Sequence, residues 1–247
     1  FSQDHLDYHK SMTAYLRAKL ILFTKLLPKK SYVIADKFIK EYSILEKISK
    51  NRKLRLLDAN KTLKDIKNLS LPLLGSFQKK NLSMAILAAR LCNLDYNKIY
   101  SALKKIKNVD GRLELIKKYP NNIRVFIDYA HTPDALKEVL KSIKNTFNNN
   151  ISLVFGCGGE RDFKKRSLMA KIAKSFCERI YVTDDNPRKE NPKKIREEII
   201  NHLKGSNYFN IGNRSQAIKE AISKAEPNET ILIAGKGHEN YQDYGNK

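Results

Sequence analysis

The chain has 247 residues, of which 41% are hydrophobic, enough for one large domain or two ordinary ones with a buried core. Its formal net charge is +22, from 48 Lys and Arg against 26 Asp and Glu, which raises the question of a nucleic-acid partner. The lysines are spread along the chain among abundant Asn and Ile, so a compositional bias explains the charge equally well, and we expect no nucleic acid.

Cysteine spacing and hydropathy indicate the cellular compartment in which the protein is expected. The three cysteines, Cys92, Cys157 and Cys177, have neither metal-type nor paired spacing, which predicts reduced thiols in a cytoplasmic protein. No apolar run reaches membrane-spanning length and no signal-peptide pattern opens the chain, so no membrane partner is expected. The first residue is Phe1 instead of Met, which favours a fragment of a longer protein.

Helical patterns dominate the first part of the chain. They cover Ser11–Leu27, Asn81–Leu91 and Asn97–Lys107. Polar stretches such as Lys47–Arg55 are predicted to connect them, and Leu71–Gly75 is typical of a short strand ending in a turn. The pattern changes near residue 110, so we predict two domains, residues 1–109 and 110–247.

Strand-like runs alternate with helical patterns in the second part. Such alternation indicates βαβ units and a mostly parallel sheet, which is an α/β fold. The predicted strands cover 123–129, 151–156, 179–184 and 230–235, and the predicted helices cover 133–147, 165–178, 192–203 and 215–225.

The four predicted strands end in loops that carry polar side chains or glycines. These loops are Asp128–Asp134, Gly156–Asp162, Asp185–Arg188 and Gly235–Glu239. Open α/β sheets bind their ligands at the carboxyl ends of their strands, so convergence of four such loops predicts a ligand site. Each loop alone has a plainer explanation, such as a glycine-rich turn or a capping Asp.

The loop Asp185-Asn186-Pro187-Arg188 is the most informative of the four. It offers a carboxylate, an amide, a rigid corner and a guanidinium, which suits a ligand carrying both an amine and a carboxylate, such as an amino acid. A polar turn with an Asn-Pro breaker explains the same four residues when they are taken alone.

Five motifs in a fixed order carry a family resemblance. They are Gly111–Glu114, Asp128–Asp134, Phe155–Gly159, Asp184–Arg188 and Ala234–Glu239. Together they resemble the Mur ligases, the ATP-dependent amino-acid ligases of peptidoglycan precursor synthesis, and among them those that attach meso-diaminopimelate to UDP-N-acetylmuramoyl-L-alanyl-D-glutamate. The first part agrees, because Asp4–His9 followed by Ala18-Lys19 is similar to the family's central ATPase domain. The resemblance implies the C-terminal portion of that domain followed by a Rossmann-like domain.

The resemblance implies a metal site. Lys19 matches the lysine that the family carbamylates with CO₂, and a carbamate is an anionic oxygen ligand suited to Mg²⁺. His5 is similar to a Mg²⁺-site residue of the same family. The plainer interpretations are a helix-surface lysine and an exposed loop histidine.

The resemblance also implies nucleotide contacts. Asn81 matches a family asparagine near adenine, although a plain helix N-cap explains it too. Arg112 resembles a hinge arginine that reaches the ATP phosphates when the C-terminal domain closes. Asp128 and His131 resemble that domain's contribution to the nucleotide side.

The family positions that hold diaminopimelate match Arg161, the Asp185–Arg188 loop with Asn186 and Pro187, Gly235 and Glu239. We assign Arg188 to the distal carboxylate and Glu239 to the ammonium of the substrate. Lysine lacks that carboxylate and would leave the arginine unpaired, so Arg188 argues against lysine.

One part of the family pattern is missing. The chain has no glycine-lysine-threonine phosphate loop and no UDP-binding domain, both of which precede the His5 region in the family. We therefore expect this fragment to lack ligase activity alone, and the full-length enzyme to be a monomer. Two alternatives stay open: a related ligase for lysine or another amino acid, and a basic nucleic-acid-binding protein.

Overall fold

A computed structural model describes residues 1, 3–66, 69 and 71–245. These residues divide into two compact units, one made of Phe1 and residues 9–108, the other of residues 3–8 and 109–245. The sequence pattern placed residues 3–8 in the first domain, whereas the structure groups them with the second unit. Within the described part of the chain, no helix is both long enough and apolar enough to cross a bilayer.

The first unit is built around two parallel strands, β1 (Tyr32–Ala35) and β2 (Arg55–Asp58). Its helical core contains Ile66, Ile86 and Ile99 packed together. The short helix α1 (Leu6–His9) lies mostly in the second unit. The helical segments of the first unit are α2 (Met12–Ile21), a π-helical turn at Leu22–Leu26, α3 (Tyr42–Arg52), a 3₁₀ turn at Ala59–Thr62, α4 (Leu63–Ile66), α5 (Ser76–Leu91) and α6 (Tyr96–Leu103).

The expectation of a polar connection at Lys47–Arg55 is wrong, because α3 and the start of β2 occupy that stretch. Leu45 and Ser49 lie one helical turn apart and bury one face of α3, a pattern that the surrounding lysines obscure. The strand β2 is stabilised by pairing with β1, which the local sequence does not reveal.

The expected strand at Leu71–Gly75 is also wrong, since those residues are irregular. Pro72 has no backbone N–H to donate to a strand partner. The helix α5 begins directly afterwards at Ser76, so Asn81 lies inside the helix and is not its N-cap. In contrast, the helix predicted from Ser11 is confirmed, with the Ser11 hydroxyl accepting a hydrogen bond from the Ala14 N–H at 3.1 Å.

The second unit contains a six-stranded sheet in the order β3-β4-β8-β5-β6-β7. Only β3 runs antiparallel to its neighbour, so the predicted mostly parallel α/β sheet is confirmed. The strands are β3 (Glu114–Lys118), β4 (Arg124–Asp128), β5 (Ile151–Phe155), β6 (Arg179–Val182), β7 (Tyr208–Asn210) and β8 (Thr230–Ala234).

Four helices cover this sheet: α7 (Pro133–Phe147), α8 (Lys164–Phe176), α9 (Pro192–Ile200) and α10 (Arg214–Ser223). All four were predicted to within a few residues. Side chains of Thr132, Asn191 and Asn213 cap three of them, and Pro occupies the first turn of α7 and α9. The edge strands β3 and β7 were not predicted, because their residues are mostly exposed and lack an apolar pattern.

The central strand β5 is buried along its whole length, as expected for a strand covered on both faces. Its neighbours β8 and β6, together with β4 beyond β8, are parallel to it. The carboxyl ends of these four adjacent strands therefore meet at one edge of the sheet, where the four polar loops lie.

Candidate functional site

A pocket of about 330 Å³ opens at this edge of the sheet, and its walls come entirely from the second unit. Most lining side chains are charged or polar. They belong to Asp4, His5, Asp7, Tyr129, His131, Cys157, Arg161, Asp162, Lys165, Asp185, Asn186, Arg188, Glu239 and Tyr241, with Gly156, Gly158 and Gly235 between them.

Asn186 fastens the loop after β6 to its neighbours. Its side-chain oxygen accepts hydrogen bonds from Lys236 Nζ at 2.9 Å and from the Asp243 N–H at 2.8 Å. Its backbone carbonyl accepts from the Gly159 N–H at 2.9 Å. Loops that follow three different elements are therefore tied together at one residue.

Arg188 is held in a defined orientation. Its backbone has a φ of 52°, a left-handed conformation that is unusual for a non-glycine residue, and its N–H donates to the Asp243 carbonyl at 2.9 Å. Nη1 donates to the Gly159 carbonyl at 2.7 Å, and Nε lies 3.7 Å from Asp243 Oδ2. Among the described residues no group accepts from Nη2, which leaves that donor available to a ligand.

Asp185 and Gly235 approach each other closely across the pocket. A Cβ on Gly235 would lie 2.8 Å from Asp185 Oδ2, and the φ of Gly235 is +110°, so glycine is required there on both counts. Asp185 Oδ1 accepts from the Asn186 N–H at 2.8 Å. Within the described chain Oδ2 accepts no hydrogen bond, so it is free to bind a cation.

Glu239 lies beside a buried lysine. Lys236, which is only 6% exposed, donates to Glu239 Oε2 at 3.0 Å. Burial raises the pKa of Glu239, but the hydrogen bond and positive charge of Lys236, with hydrogen bonds from Tyr129 and Asn186, outweigh it and lower the pKa. Glu239 is therefore an anion at neutral pH, although it already has a cationic partner.

Two glycines allow the loops after β5 and β6 to touch. A Cβ on Gly156 would lie 2.2 Å from the Thr183 carbonyl, and one on Gly159 would lie 2.0 Å from the Pro187 carbonyl. Both contacts are with backbone, which cannot swing away as a flexible side chain can. The glycine-rich sequence of this loop is thus a packing requirement as well as a ligand signal.

The open side of the pocket carries weaker charge pairs. Arg161, whose side chain is 51% exposed, lies 3.5 Å from Asp7 Oδ2. Asp4 Oδ2 lies 3.4 Å from His5 Nε2 and 3.8 Å from His131 Nε2. His131 Nδ1 makes its other contact with the Tyr129 carbonyl at 2.9 Å. Residues 3–8 thereby contribute acidic groups to this wall.

Arg214 reinforces the site from behind. It is 7% exposed at the start of α10, and its guanidinium donates to the carbonyls of Ala234 at 2.8 Å and Asp184 at 3.5 Å. These carbonyls immediately precede Gly235 and Asp185, so one buried cation links the ends of β8 and β6. Burial lowers the pKa of Arg214, partly offset by Asp185 and Glu239.

The described residues do not by themselves form a metal cage. No group of three or more His, Cys, Asp or Glu among them is arranged to hold a metal ion. Mg²⁺ usually keeps several waters and takes further oxygens from substrate phosphates, so one or two carboxylates are its usual protein ligands. His5 and Asp4 lie together, but their geometry defines no such site alone.

The structure places the predicted residues in three groups. Eight line the pocket: His5, His131, Arg161, Asp185, Asn186, Arg188, Gly235 and Glu239. Pro187, Arg112 and Asp128 belong to the same unit without lining it, Pro187 lying against a small adjoining cavity and Arg112 over the Tyr129 ring. Lys19 and Asn81 belong to the first unit, where Lys19 is exposed and lies over the Tyr15 ring.

Asp128 has a structural task in this arrangement. Its two carboxylate oxygens accept hydrogen bonds from the backbone N–H groups of Leu113 at 2.6 Å and Ala130 at 2.7 Å. Burial raises its pKa, while those two hydrogen bonds and the charge of Arg112 act against the rise. The predicted role of Asp128 in nucleotide binding stays a prediction.

Several residues of the site were not predicted, among them Asp4, Asp7 and Lys165, which line the pocket, and Lys236 and Arg214, which hold its loops in place. Lys236 belongs to the loop after β8, so its motif was a usable signal. Asp4 and Asp7 belong to the Asp4–His9 motif, which carried part of the family resemblance but lies far from the four loops in sequence. Lys165 and Arg214 offered no signal, because they are two of 48 basic residues.

Comparison with protein-family models decides the family. The model of the Mur ligase glutamate ligase domain matches residues 111–237, and that of the Mur ligase middle domain matches residues 1–68. The chain belongs to the Mur ligase family. The matched regions contain all four polar loops of the pocket except the last residues of the Gly235–Glu239 loop.

Curated relatives and solved structures of the Mur ligase family agree. The UDP-N-acetylmuramoyl-L-alanyl-D-glutamate--2,6-diaminopimelate ligase of Rickettsia bellii is 44% identical over 270 residues, covering 100% of this chain and 56% of the relative. A solved structure of a ligase of that name is 30% identical, with a TM-score of 0.54, over 98% of this chain and 55% of that one. The chain thus spans about half the length of the curated relatives it matches.

The fold extends to a more distant enzyme. The folylpolyglutamate synthase of Mycobacterium tuberculosis, solved in complex with ADP, is 19% identical, covers 95% of this chain and 59% of its own, and gives a TM-score of 0.75. At this identity the likeness concerns the fold alone.

Proposed function

We propose that this Mur ligase chain is part of an ATP-dependent ligase that joins meso-diaminopimelate to UDP-N-acetylmuramoyl-L-alanyl-D-glutamate, and that its pocket receives the diaminopimelate. The observation that carries the proposal is the charge arrangement of the pocket. Its lining brings together the cations of Arg161, Lys165 and Arg188 with the carboxylates of Asp185 and Glu239, and a substrate with two zwitterionic ends needs both kinds of partner.

The reaction consists of two balanced steps. A carboxylate oxygen of the nucleotide-linked substrate attacks the γ-phosphorus of ATP, giving an acyl phosphate and releasing ADP. The amine of the amino acid then attacks the carbonyl carbon, inorganic phosphate leaves, and the nitrogen loses a proton. Both steps pass through anionic states, so positioning and cationic groups account for most of the acceleration.

Each end of the amino acid has candidate partners. Arg188 is fixed by the Gly159 carbonyl and retains Nη2 for the distal carboxylate. Glu239 and Asp185 are the acceptors for the adjacent ammonium, with Asn186 and Gly235 shaping the wall. Arg161, at the exposed side, is placed for the end whose amine attacks. Pro187 fixes the corner between Asn186 and Arg188.

The ATP side of the proposal rests on the family. Lys19 as a carbamate, His5 and the ATP phosphates are the groups that would hold Mg²⁺, which supplies charge neutralisation when bound. Asn81, Arg112, Asp128 and His131 are the proposed nucleotide contacts. Without these further ligands, the His, Cys, Asp and Glu side chains of the described residues form no metal cage.

Calorimetric titration of the chain with meso-diaminopimelate tests the pocket. Arg188→Ala should weaken binding about 10- to 100-fold, since a charge-assisted hydrogen bond to the ligand is lost. Lys189→Ala is the matched control, because Lys189 is exposed and does not line the pocket. Binding that Arg188→Ala leaves intact would contradict the assignment.

A related ligase that adds lysine is the main competing function. Titration with L-lysine separates the two, because lysine has one carboxylate and diaminopimelate has two. The proposed diaminopimelate function predicts that the chain binds diaminopimelate at least about tenfold more tightly than L-lysine. Equal affinities would favour the lysine alternative.

A further inference from the structure

Lys165 is the most unusual charge in the pocket. It lies in the first turn of α8, is only 7% exposed, and lines the pocket. Across the described chain, its ammonium forms neither an ion pair nor a side-chain hydrogen bond. It shares the pocket lining with Cys157 and Asp185.

The Lys165 side chain is buried, but its ammonium faces the pocket and is not one of the buried polar atoms that lack a partner, so pocket water solvates it in the free protein. A ligand that displaces this water without supplying an anion leaves the ammonium desolvated and unpaired, which is costly. The other pocket cations differ in this respect. Arg188 already donates to the Gly159 carbonyl and lies near Asp243, and Arg161 is half exposed beside Asp7. Lys165 is therefore the cation that gains most from an anionic ligand.

The depth of Lys165 indicates which part of a ligand it meets. The attacking amine must reach an acyl phosphate that comes from outside the pocket, so that end of the substrate lies at the mouth. The opposite end then lies among the less exposed lining residues: Lys165 is 7% exposed, whereas the side chain of Arg161 is 51% exposed. There Lys165 and the free Oδ2 of Asp185 offer a cation and an anion. Together they match one zwitterionic amino-acid terminus.

We propose that Lys165 binds the distal carboxylate jointly with Arg188 and is the stronger of the two discriminators against lysine. The inference rests on the proposed diaminopimelate function, and it makes Lys165, instead of Arg188, the main residue that rejects lysine. With lysine bound, Arg188 keeps its carbonyl partners, whereas Lys165 stays buried and unpaired. Rejection of an analogue is strongest where a buried polar group loses its partner.

The test compares ligand discrimination in three chains by calorimetry: the parent, Lys165→Met and Lys164→Met. Lys164 is the adjacent, exposed lysine of the same helix and does not line the pocket. We expect Lys165→Met to weaken meso-diaminopimelate at least about tenfold and to leave L-lysine unchanged or tighter, so that the preference collapses. Lys164→Met should keep the parent's preference, and Arg188→Met should reduce it less than Lys165→Met does.

A thermal melt without ligand distinguishes this role from a structural one. Because the ammonium has no partner in the described protein, Lys165→Met should melt at the parent's temperature or above it. Lys165→Gln provides the same comparison should the Met variant not fold.

Equal weakening of both ligands by Lys165→Met, or an unchanged preference, would overturn the inference while leaving the diaminopimelate function standing. A parent chain that binds no diaminopimelate would overturn the proposed function itself, and the role of Lys165 with it.

Discussion

The parallel strands of the six-stranded sheet begin at one side of the sheet, its amino edge, and end at the opposite side, its carboxyl edge. Charged side chains are buried at both edges, but in opposite ways. At the amino edge, Glu229 is 1% exposed and all its contacts are internal: it accepts from Ser152 Oγ at 2.5 Å, from the Glu226 N–H at 2.8 Å and from Arg179. At the carboxyl edge, Lys165 Nζ and Asp185 Oδ2 line the pocket, and neither has a hydrogen-bond partner among the residues that the structure describes. A buried cluster whose charged groups are all paired stabilises the fold, whereas a cluster that keeps unpaired charged groups can bind a ligand.

The difference teaches how to distinguish buried charges of similar appearance. Sequence and burial alone would rank Glu229 and Lys165 together, since both are ionisable and nearly inaccessible. Their hydrogen-bond partners distinguish them, because only Lys165 has a hydrogen-bonding group left for another molecule. The following substitutions test that separation, beginning with the largest expected effect.

Arg179→Met should destabilise the protein by about 3–5 kcal/mol, since it leaves the Glu229 carboxylate buried without its cation. Denaturant unfolding measures the loss. The control is Lys224→Met, which removes an exposed pair with Glu220 and should cost less than about 1 kcal/mol. A small effect of Arg179→Met would mean that the amino-edge cluster is not the closed structural unit that we describe.

Gly159→Ala should cost about 1–3 kcal/mol of stability and also impair the pocket, because the new Cβ would collide with the Pro187 carbonyl. Gly158→Ala is the matched comparison: the nearest atom to its Cβ would be Arg188 Nη1, at 3.0 Å, which is a side-chain end and can move. The nearest backbone atom, the Asn186 carbonyl oxygen, would lie at 3.5 Å, an ordinary van der Waals distance. Denaturant unfolding and calorimetry measure both variants. Equal stability of the two would show that the loops after β5 and β6 are not in tight contact.

The smallest effect concerns pH. Because the folded-state pKa of Glu239 lies below its ordinary value of 4.5, its contribution to stability is present above that value and is lost as the pH falls through the folded pKa. Glu239→Gln should therefore flatten the acid limb of a stability–pH curve below about pH 4.5. Melting temperatures between pH 3 and 7, on the order of ten points, measure this. An unchanged limb would contradict the pairing with Lys236.

Much of the sheet was predictable, and so was part of its site. Alternating apolar runs and helices gave β4, β5, β6 and β8 in their parallel arrangement, because buried parallel strands are locally apolar. The loop motifs also placed Arg188 and Glu239 at one edge. In contrast, β2 depends on long-range pairing with β1, and its four residues, Arg55–Asp58, are too few to show a strand pattern by themselves.

The part of the site that could not be predicted depends on contacts between residues that are distant in sequence. Lys164 and Lys165 are adjacent and chemically identical, yet one is exposed and the other buried, according to the face of α8 on which each lies. Arg214 is significant only because the carbonyls of Ala234 and Asp184 end beside it. Such roles arise from spatial neighbours that a single sequence does not name.

The wall formed by Asp184–Arg188 depends on residues that lie outside every helix and strand. The Gln242 amide donates to the Asp184 and Asp185 carbonyls, the Asp243 backbone contacts Asn186 and Arg188, and the Tyr244 hydroxyl donates to the Asp184 carboxylate at 3.1 Å. The sheet itself is complete once β8 has formed at Ala234. The strand pairing therefore does not depend on residues 240–244, whereas the loop after β6 does. A truncation after residue 239 should keep all six strands and lose the hydrogen bonds that hold this loop in place.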